Sequence, residues 1–204
     1  MTHLILVRHG ESQWNAKGIW TGWTDISLSE KGKVEARSAG RALKGVKIDI
    51  AYSSPLIRAK QTLDEIKKIL GRENLAVIEN KALNERDYGI FTGKNKWEIK
   101  KEVGEDKFFQ IRRGFDTSIP KGETLKDVYN RVVPYYKKEI LKNLIAGKSV
   151  LISAHGNSLR ALIKHLESIS DEEISNLELA TGEIYIYGMS RSGKVISKKV
   201  LKSS

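Results

Sequence analysis

The 204-residue chain is long enough for one domain that buries roughly 70% of its unfolded surface, so neither metal nor cross-link is needed to hold it. It contains no cysteine, which excludes disulfides and thiol catalysis. Its 36 Lys and Arg exceed 25 Asp and Glu for a net charge of +11, which favours anionic partners. The basic tracts Lys100-Lys101, Lys137-Lys138 and Lys198-Lys199 are short and suit solvated faces, so small anions are expected rather than nucleic acid.

The first apolar run, Leu4 to Val7, is too short for a secretory signal core and runs into Arg8. No later run approaches the ~20 residues of a membrane span. A cytoplasmic protein without membrane contact is the expectation. Ala36, Ala39, Gly40 and Leu43 repeat at helical spacing, and Ala59, Leu63, Ile66 and Leu70 continue one helical face over three turns. Between and after these helices come β-prone runs at Ile48 to Tyr52 and Leu75 to Ile78. Glu85 to Gly122 has weak periodicity and much charge, Gly and aromatic character, which suggests a subdomain inserted at the sheet edge.

The periodicity of Leu125, Val128, Val132, Tyr136, Ile140 and Leu144 predicts a helix from Thr124 to about Ile145, bent at Pro134. Ser149 to Ala154 reads as a strand, and Leu159, Leu162, Ile163 and Leu166 as a helix. Glu183 to Met189 reads as another strand and Lys194 to Leu201 as an exposed edge strand, with the final Lys-Ser-Ser expected to lack order. This alternation of strand and helix gives a mainly parallel sheet covered on both faces.

In such a sheet the ligand crevice lies beyond the C-terminal strand ends. Arg8, His9, Ser53, Ser54 and His155 fall there, and Arg58 follows in the first turn of the next helix. A neutral imidazole attacks phosphorus directly, and guanidinium forks match phosphate oxygens. A histidine nucleophile is therefore expected, with Arg8, Arg58 and a protonated His155 neutralising charge on the transferring group. Either histidine alone would read as structural; the doubled arrangement beside Arg8 points to phosphoryl transfer. A zinc site is the competing chemistry, but none of the four histidines stands at an i, i+4 helical spacing, and no metal is expected.

Leu6-Val7-Arg8-His9-Gly10-Glu11-Ser12-Gln13-Trp14-Asn15 resembles the signature of the histidine phosphatase superfamily, in the form used by cofactor-dependent phosphoglycerate mutases. Further similar segments are Thr21-Gly22-Trp23, Leu28-Ser29-Glu30-Lys31-Gly32, Leu83-Asn84-Glu85-Arg86-Asp87-Tyr88-Gly89, Arg112-Arg113-Gly114-Phe115 and Ala154-His155-Gly156-Asn157-Ser158-Leu159-Arg160. They span nearly the whole chain in the family's order. With the predicted elements, the resemblance implies a three-layer α/β/α sandwich. It has a mainly parallel central sheet with one antiparallel edge strand, and residues 85–122 form a helical lid over the site.

The resemblance also implies roles. His9 is the phosphorylated nucleophile, Glu85 the general acid and base for the substrate hydroxyl, and His155, Arg8 and Arg58 stabilise the moving phosphoryl group. Asn15 and the backbone of Gly156 and Asn157 are implied at the phosphate, and Ser12 among the substrate-binding residues. Thr21 and Gly22 are implied at a carboxylate, and Tyr88, Lys96, Arg112 and Arg113 at the far end of a phosphoglycerate. The implied reaction interconverts 3- and 2-phosphoglycerate, with 2,3-bisphosphoglycerate as phosphoryl primer and no metal. Hydrolysis of small phosphate esters is the alternative outcome at the same histidine. A catalytically idle nucleic-acid or scaffold protein would leave His9, Glu85 and His155 without a purpose. Family members commonly carry a longer segment before Glu123 than Asp116 to Gly122, a region tied to water exclusion and subunit contacts, so a homo-oligomer stays open.

Overall fold

Alternation of side chains along each strand decides which helices cover which face. In the computed structural model, which describes residues 2–201, β1 (Thr2–Arg8) sends Leu4 and Leu6 into one apolar cluster and Ile5 and Val7 into another. After α1 (Gln13–Ala16), helix α2 (Glu30–Ala42) leads to β2 (Ile50–Ser53), and α3 (Ile57–Leu70) leads to β3 (Val77–Glu79). Ala39 of α2 and Leu63 and Ile66 of α3 pack on the Ile5 face, with Ala51.

Helices α4 (Lys96–Val103) and α5 (Glu105–Arg113) follow β3 and belong to the 85–122 segment. They enclose a third apolar cluster of Trp20, Tyr88, Phe91, Ile99, Phe108, Ile111 and Ile119. The chain then returns to the sheet through α6 (Leu125–Tyr135), a π turn at Tyr136–Ile140 and α7 (Leu141–Ile145). The single helix expected over this stretch runs unbroken through all three, with αR backbone at the junction residues and its irregularity a π turn just after Pro134. Pro134 removes a backbone donor and crowds the preceding turn, and the widened π turn begins two residues later. Strand β4 (Val150–Ala154), helix α8 (Gly156–Glu167) and the strands β5 (Ile184–Met189) and β6 (Val195–Leu201) complete the fold. Leu125, Val128 and Val132 of α6 and Leu159, Leu162 and Ile163 of α8 cover the Leu4 face.

The six strands lie in the order β3-β2-β4-β1-β5-β6. Pairing is parallel from β3 through β1. β5 is antiparallel to β1 and β6 is antiparallel to β5, so β6 runs in the same sense as β1; the one strand opposed to the others is β5, one place in from the edge, and not the edge strand as expected. Strand limits shift by a residue or two from the apolar runs, and the terminal Lys202-Ser203-Ser204 lies outside the described residues. No helix among the described residues is long and apolar enough to cross a membrane.

Candidate active site

Parallel register between β1 and β4 sets Arg8 opposite Ala154, so the chain leaves both strands side by side. The His9 N–H donates to Ala154 O at 3.0 Å, and the His9 and His155 rings stand 4.9 Å apart at 61°. Both are buried. His9 Nδ1 lies 2.6 Å from Gly10 O, and because a carbonyl only accepts, the proton sits on Nδ1 and the lone pair on Nε2. Burial, then the Arg58 and Arg8 charges, holds the His9 pKa well below the usual range, so the imidazole is neutral and its Nε2 lone pair is available to an electrophile. Gly10 fits because a Cβ there would lie 2.2 Å from Gly32 O, while its N–H donates to Thr62 Oγ1 at 3.1 Å.

His155 shares a 2.6 Å hydrogen bond with Ser54 Oγ through Nε2, and its buried Nδ1 has no partner among the described residues. Burial, then Arg58 and His9, pushes its pKa well below the usual range, so within the chain's own charges it is neutral. A proton on it requires the negative charge of a phosphoryl group alongside.

Arg58 is drawn into the crevice by α3 and fixed by two carbonyls. Its Nη1 donates to Thr24 O at 2.9 Å and its Nη2 to Gly22 O at 2.8 Å. Gly22 adopts a left-handed φ of 52°, which a residue without Cβ reaches at no steric cost. Burial lowers the Arg58 pKa to about 10, still charged at neutral pH. Arg8 donates through Nη1 to Leu179 O, and its Nε is buried with no partner among the described residues. Burying a guanidinium charge without a carboxylate partner costs several kcal/mol, a cost that an anion bound between Arg8 and Arg58 offsets.

Glu85 reaches this cluster from the loop after Leu83. Its Oε1 accepts from Arg86 N at 2.7 Å, Asn157 N at 3.2 Å and Asn157 Nδ2 at 3.0 Å. That occupies Oε1 and leaves Oε2 to exchange a proton. Asn157 therefore departs from expectation. Its backbone N–H, expected at the phosphate, is spent on Glu85, and its side chain also donates to Tyr88 Oη at 2.8 Å. Gly156 opens α8, where the first N–H groups have no partner within the helix, and lines the pocket as expected. His9, Glu85 and His155 offer three ligand atoms within 4.8 Å of one another, but Arg8 and Arg58 share the pocket and repel a cation.

The pocket runs from these groups to a second set of cations. Arg8, His9, Asn15, Thr21, Gly22, Arg58, Glu85, Tyr88, Lys96, Arg112, Arg113, Gly156 and Asn157 all line it. Lys96 opens α4 with its ammonium 5.6 Å from the centre of the Trp20 ring, and burial, then Arg112 and Arg8, lowers its pKa to about 8. Arg112, at the end of α5, packs over Phe108, and burial and neighbouring Arg113 lower its pKa. Arg113 pairs with Glu178.

Ser12, expected among the substrate-binding residues, is absent from this lining. It caps α1, with Oγ accepting from Asn15 N at 3.1 Å and its N–H donating to Asn15 Oδ1 at 3.2 Å, so it orients Asn15 instead. Trp20, Arg160, Glu178 and Leu179 line the pocket without having been expected there. Arg160 stands inside a segment already noted, three residues after Asn157, whose Oδ1 accepts from it at 2.9 Å. Helical spacing could have found it. Glu178 and Leu179 act from an irregular loop, partly through carbonyls, and carry no local signal.

Known proteins resemble the chain in both sequence and fold. The family model for the histidine phosphatase superfamily (branch 1) matches residues 4–201. The chain is 48% identical over 201 residues to a 2,3-bisphosphoglycerate-dependent phosphoglycerate mutase of Mesorhizobium japonicum, covering 98% of both chains. It is 51% identical over 197 residues to the protein of the same name from Bradyrhizobium diazoefficiens, covering 96% and 95%. Among solved structures, Bacillus stearothermophilus YhfR superposes with a TM-score of 0.83 at 26% identity, over 96% of this chain and 95% of that one. A mycobacterial glucosyl-3-phosphoglycerate phosphatase shares the fold at a TM-score of 0.83 and 22% identity, over 100% of both chains.

Proposed function

The chain belongs to the histidine phosphatase superfamily, and from that premise we propose that it interconverts 3-phosphoglycerate and 2-phosphoglycerate through a phosphohistidine at His9. The observation that carries this reading is one pocket with two cationic ends: Arg8 and Arg58 beside His9 at one, with the buried His155 ring packed against His9, and Lys96, Arg112 and Arg113 at the other. A phosphoglycerate has an anionic group near each end and needs both. Buried polar atoms without partners among the described residues, Arg8 Nε, Thr21 Oγ1 and His155 Nδ1, suit a multiply charged anion such as 2,3-bisphosphoglycerate. Bound there, that compound supplies the phosphoryl group that primes His9.

His9 Nε2 forms the new N–P bond as the ester P–O bond breaks, and Glu85 Oε2 protonates the departing oxygen. In the reverse step Glu85 takes the proton from the accepting hydroxyl, and His9 leaves phosphorus with its lone pair restored. Arg8, Arg58 and His155 hold the equatorial oxygens in both directions. Transfer between the 2- and 3-hydroxyls follows when the ligand turns between the two ends before leaving. Residues 85–122 act as a lid within a single domain, and the reading is of a cytoplasmic, metal-independent enzyme.

The test is to incubate the protein with 3-phosphoglycerate, a trace of 2,3-bisphosphoglycerate and a chelator, and to follow 2-phosphoglycerate and free phosphate separately. Isomerisation well above phosphate release is expected. Dominant phosphate release would establish hydrolysis as the main outcome at His9, and loss of activity with chelator would overturn the metal-free mechanism.

A further inference from the structure

Glu85 is on a loop, and a loop carboxylate holds a proton in line with a reacting oxygen only if its backbone is fixed. The fixing group comes from the helix across the crevice. Arg131 of α6 donates through Nη1 to Ala82 O at 2.8 Å and Asn84 O at 3.0 Å, and through Nη2 to Glu85 O at 2.9 Å. The same guanidinium is clamped by Glu123, with Nε to Oε1 at 2.8 Å and Nη2 to Oε2 at 2.9 Å. Glu123 Oε2 in turn accepts from Asp87 N at 2.9 Å, so the pair grips the loop on both sides of Glu85. Trp23 adds a second donor, Nε1 to Glu85 O at 2.6 Å, and Arg131 lies over its ring at 5.9 Å.

Arg131 does not line the pocket. A planar fork with five donors, satisfied by the carbonyls of Ala82, Asn84 and Glu85 and by a carboxylate, sets one loop geometry in a way that a flexible ammonium cannot. Such a support matters most for the step that needs directed proton transfer, and least for one with a leaving group that needs no proton.

We infer that Arg131, backed by Glu123 and Trp23, is the positioning residue that aims the Glu85 carboxyl at the substrate oxygen. The inference rests on the reading of Glu85 as acid and base.

The experiment compares first-turnover phosphorylation of His9 by two donors in rapid-quench and stopped-flow mixing. With 2,3-bisphosphoglycerate the departing alkoxide must be protonated as the P–O bond breaks. With p-nitrophenyl phosphate the nitrophenolate leaves unprotonated. Arg131→Met is expected to slow the first reaction by roughly 10- to 100-fold, part of the 10²- to 10⁴-fold that a positioned acid contributes, and to leave the nitrophenolate burst within about twofold. Arg131→Lys, which keeps the charge but loses the fork, should fall between wild type and Arg131→Met.

Trp23→Phe removes one donor from a half-exposed side chain, so it keeps the test available if Arg131→Met does not fold. It should show the same selectivity at a few-fold magnitude. Equal loss with both donors, or no loss with either, overturns the inference. Glu85→Gln is the reference. If it lacks the donor contrast, the acid assignment itself fails; if it shows the contrast and the Arg131 and Trp23 variants do not, only the positioning role fails. Whether the product is 2-phosphoglycerate or free phosphate does not enter, so the mutase reading is judged separately.

Discussion

The two ends of the pocket are built in different ways. At the reacting end His9, His155 and Arg58 are each no more than 2% exposed, and each is tied to the sheet or its loops by Gly10, Ser54, Gly22 or Thr24. At the far end Lys96 and Arg112 project from short helices that bury few apolar side chains, Ile99 in α4 and Phe108 and Ile111 in α5. Arg113 there is paired with Glu178, whose side chain is 64% exposed. Catalysis gains from dipoles fixed before the reaction, whereas a ligand that must turn around gains from an end that adjusts. The rigid end should therefore control turnover and the adjustable end binding.

The largest expected effect tests the rigid end. Glu85→Gln should lower kcat by roughly 10²- to 10⁴-fold with little change in KM, measured by steady-state isomerisation; a change confined to KM would erase the contrast between the ends. Next comes Arg112→Ala, which removes charged hydrogen bonds worth about 1.5–3 kcal/mol and should raise KM by roughly 10- to 100-fold while kcat falls less. A loss carried by kcat would show that Arg112 acts in the transition state.

Smaller again is a pH effect. Burial lowers the Lys96 pKa to about 8, so its charge is present below that pH and lost above it. Raising pH from 7 to 9 should raise KM by up to about tenfold. Lys96→Met should start with a high KM and stay flat over that window; an equal pH response in the variant would assign the titration elsewhere. The smallest effect is expected from Glu178→Gln. Releasing Arg113 from an ion pair whose carboxylate is largely exposed should lower KM by at most about fivefold, with kcat unchanged. A higher KM would mean that Glu178 helps to shape the far end rather than competing for it.

The reacting end was the more legible in sequence. Arg8-His9 and His155 close apolar runs, and in a parallel sheet such residues share one edge; the pairing of β1 with β4, which makes them direct neighbours, comes from the structure. The sense of β5 was not legible, because side-chain alternation is the same for either strand direction. Ser12 shows another limit. A serine three residues before Asn15 suits a helix cap as well as a phosphate, and only the observed hydrogen bonds separate the two. The support under Glu85 was hidden because Arg131 works through backbone carbonyls some 46–49 residues away, which no local pattern marks. Glu178 and Leu179 were hidden for a similar reason, since they meet Arg113 and Arg8 only after the chain has crossed the sheet.

The central claim is that the fold fixes His9 as a neutral nucleophile with its lone pair on Nε2. Labelling the enzyme with phosphoryl-labelled 2,3-bisphosphoglycerate, digesting it at alkaline pH and separating the phosphohistidine isomers tests this directly. All label is expected on His9 Nε2, because Nδ1–H is committed to Gly10 O, and none in His9→Asn. Label on Nδ1, or label persisting at another residue in His9→Asn, would contradict it.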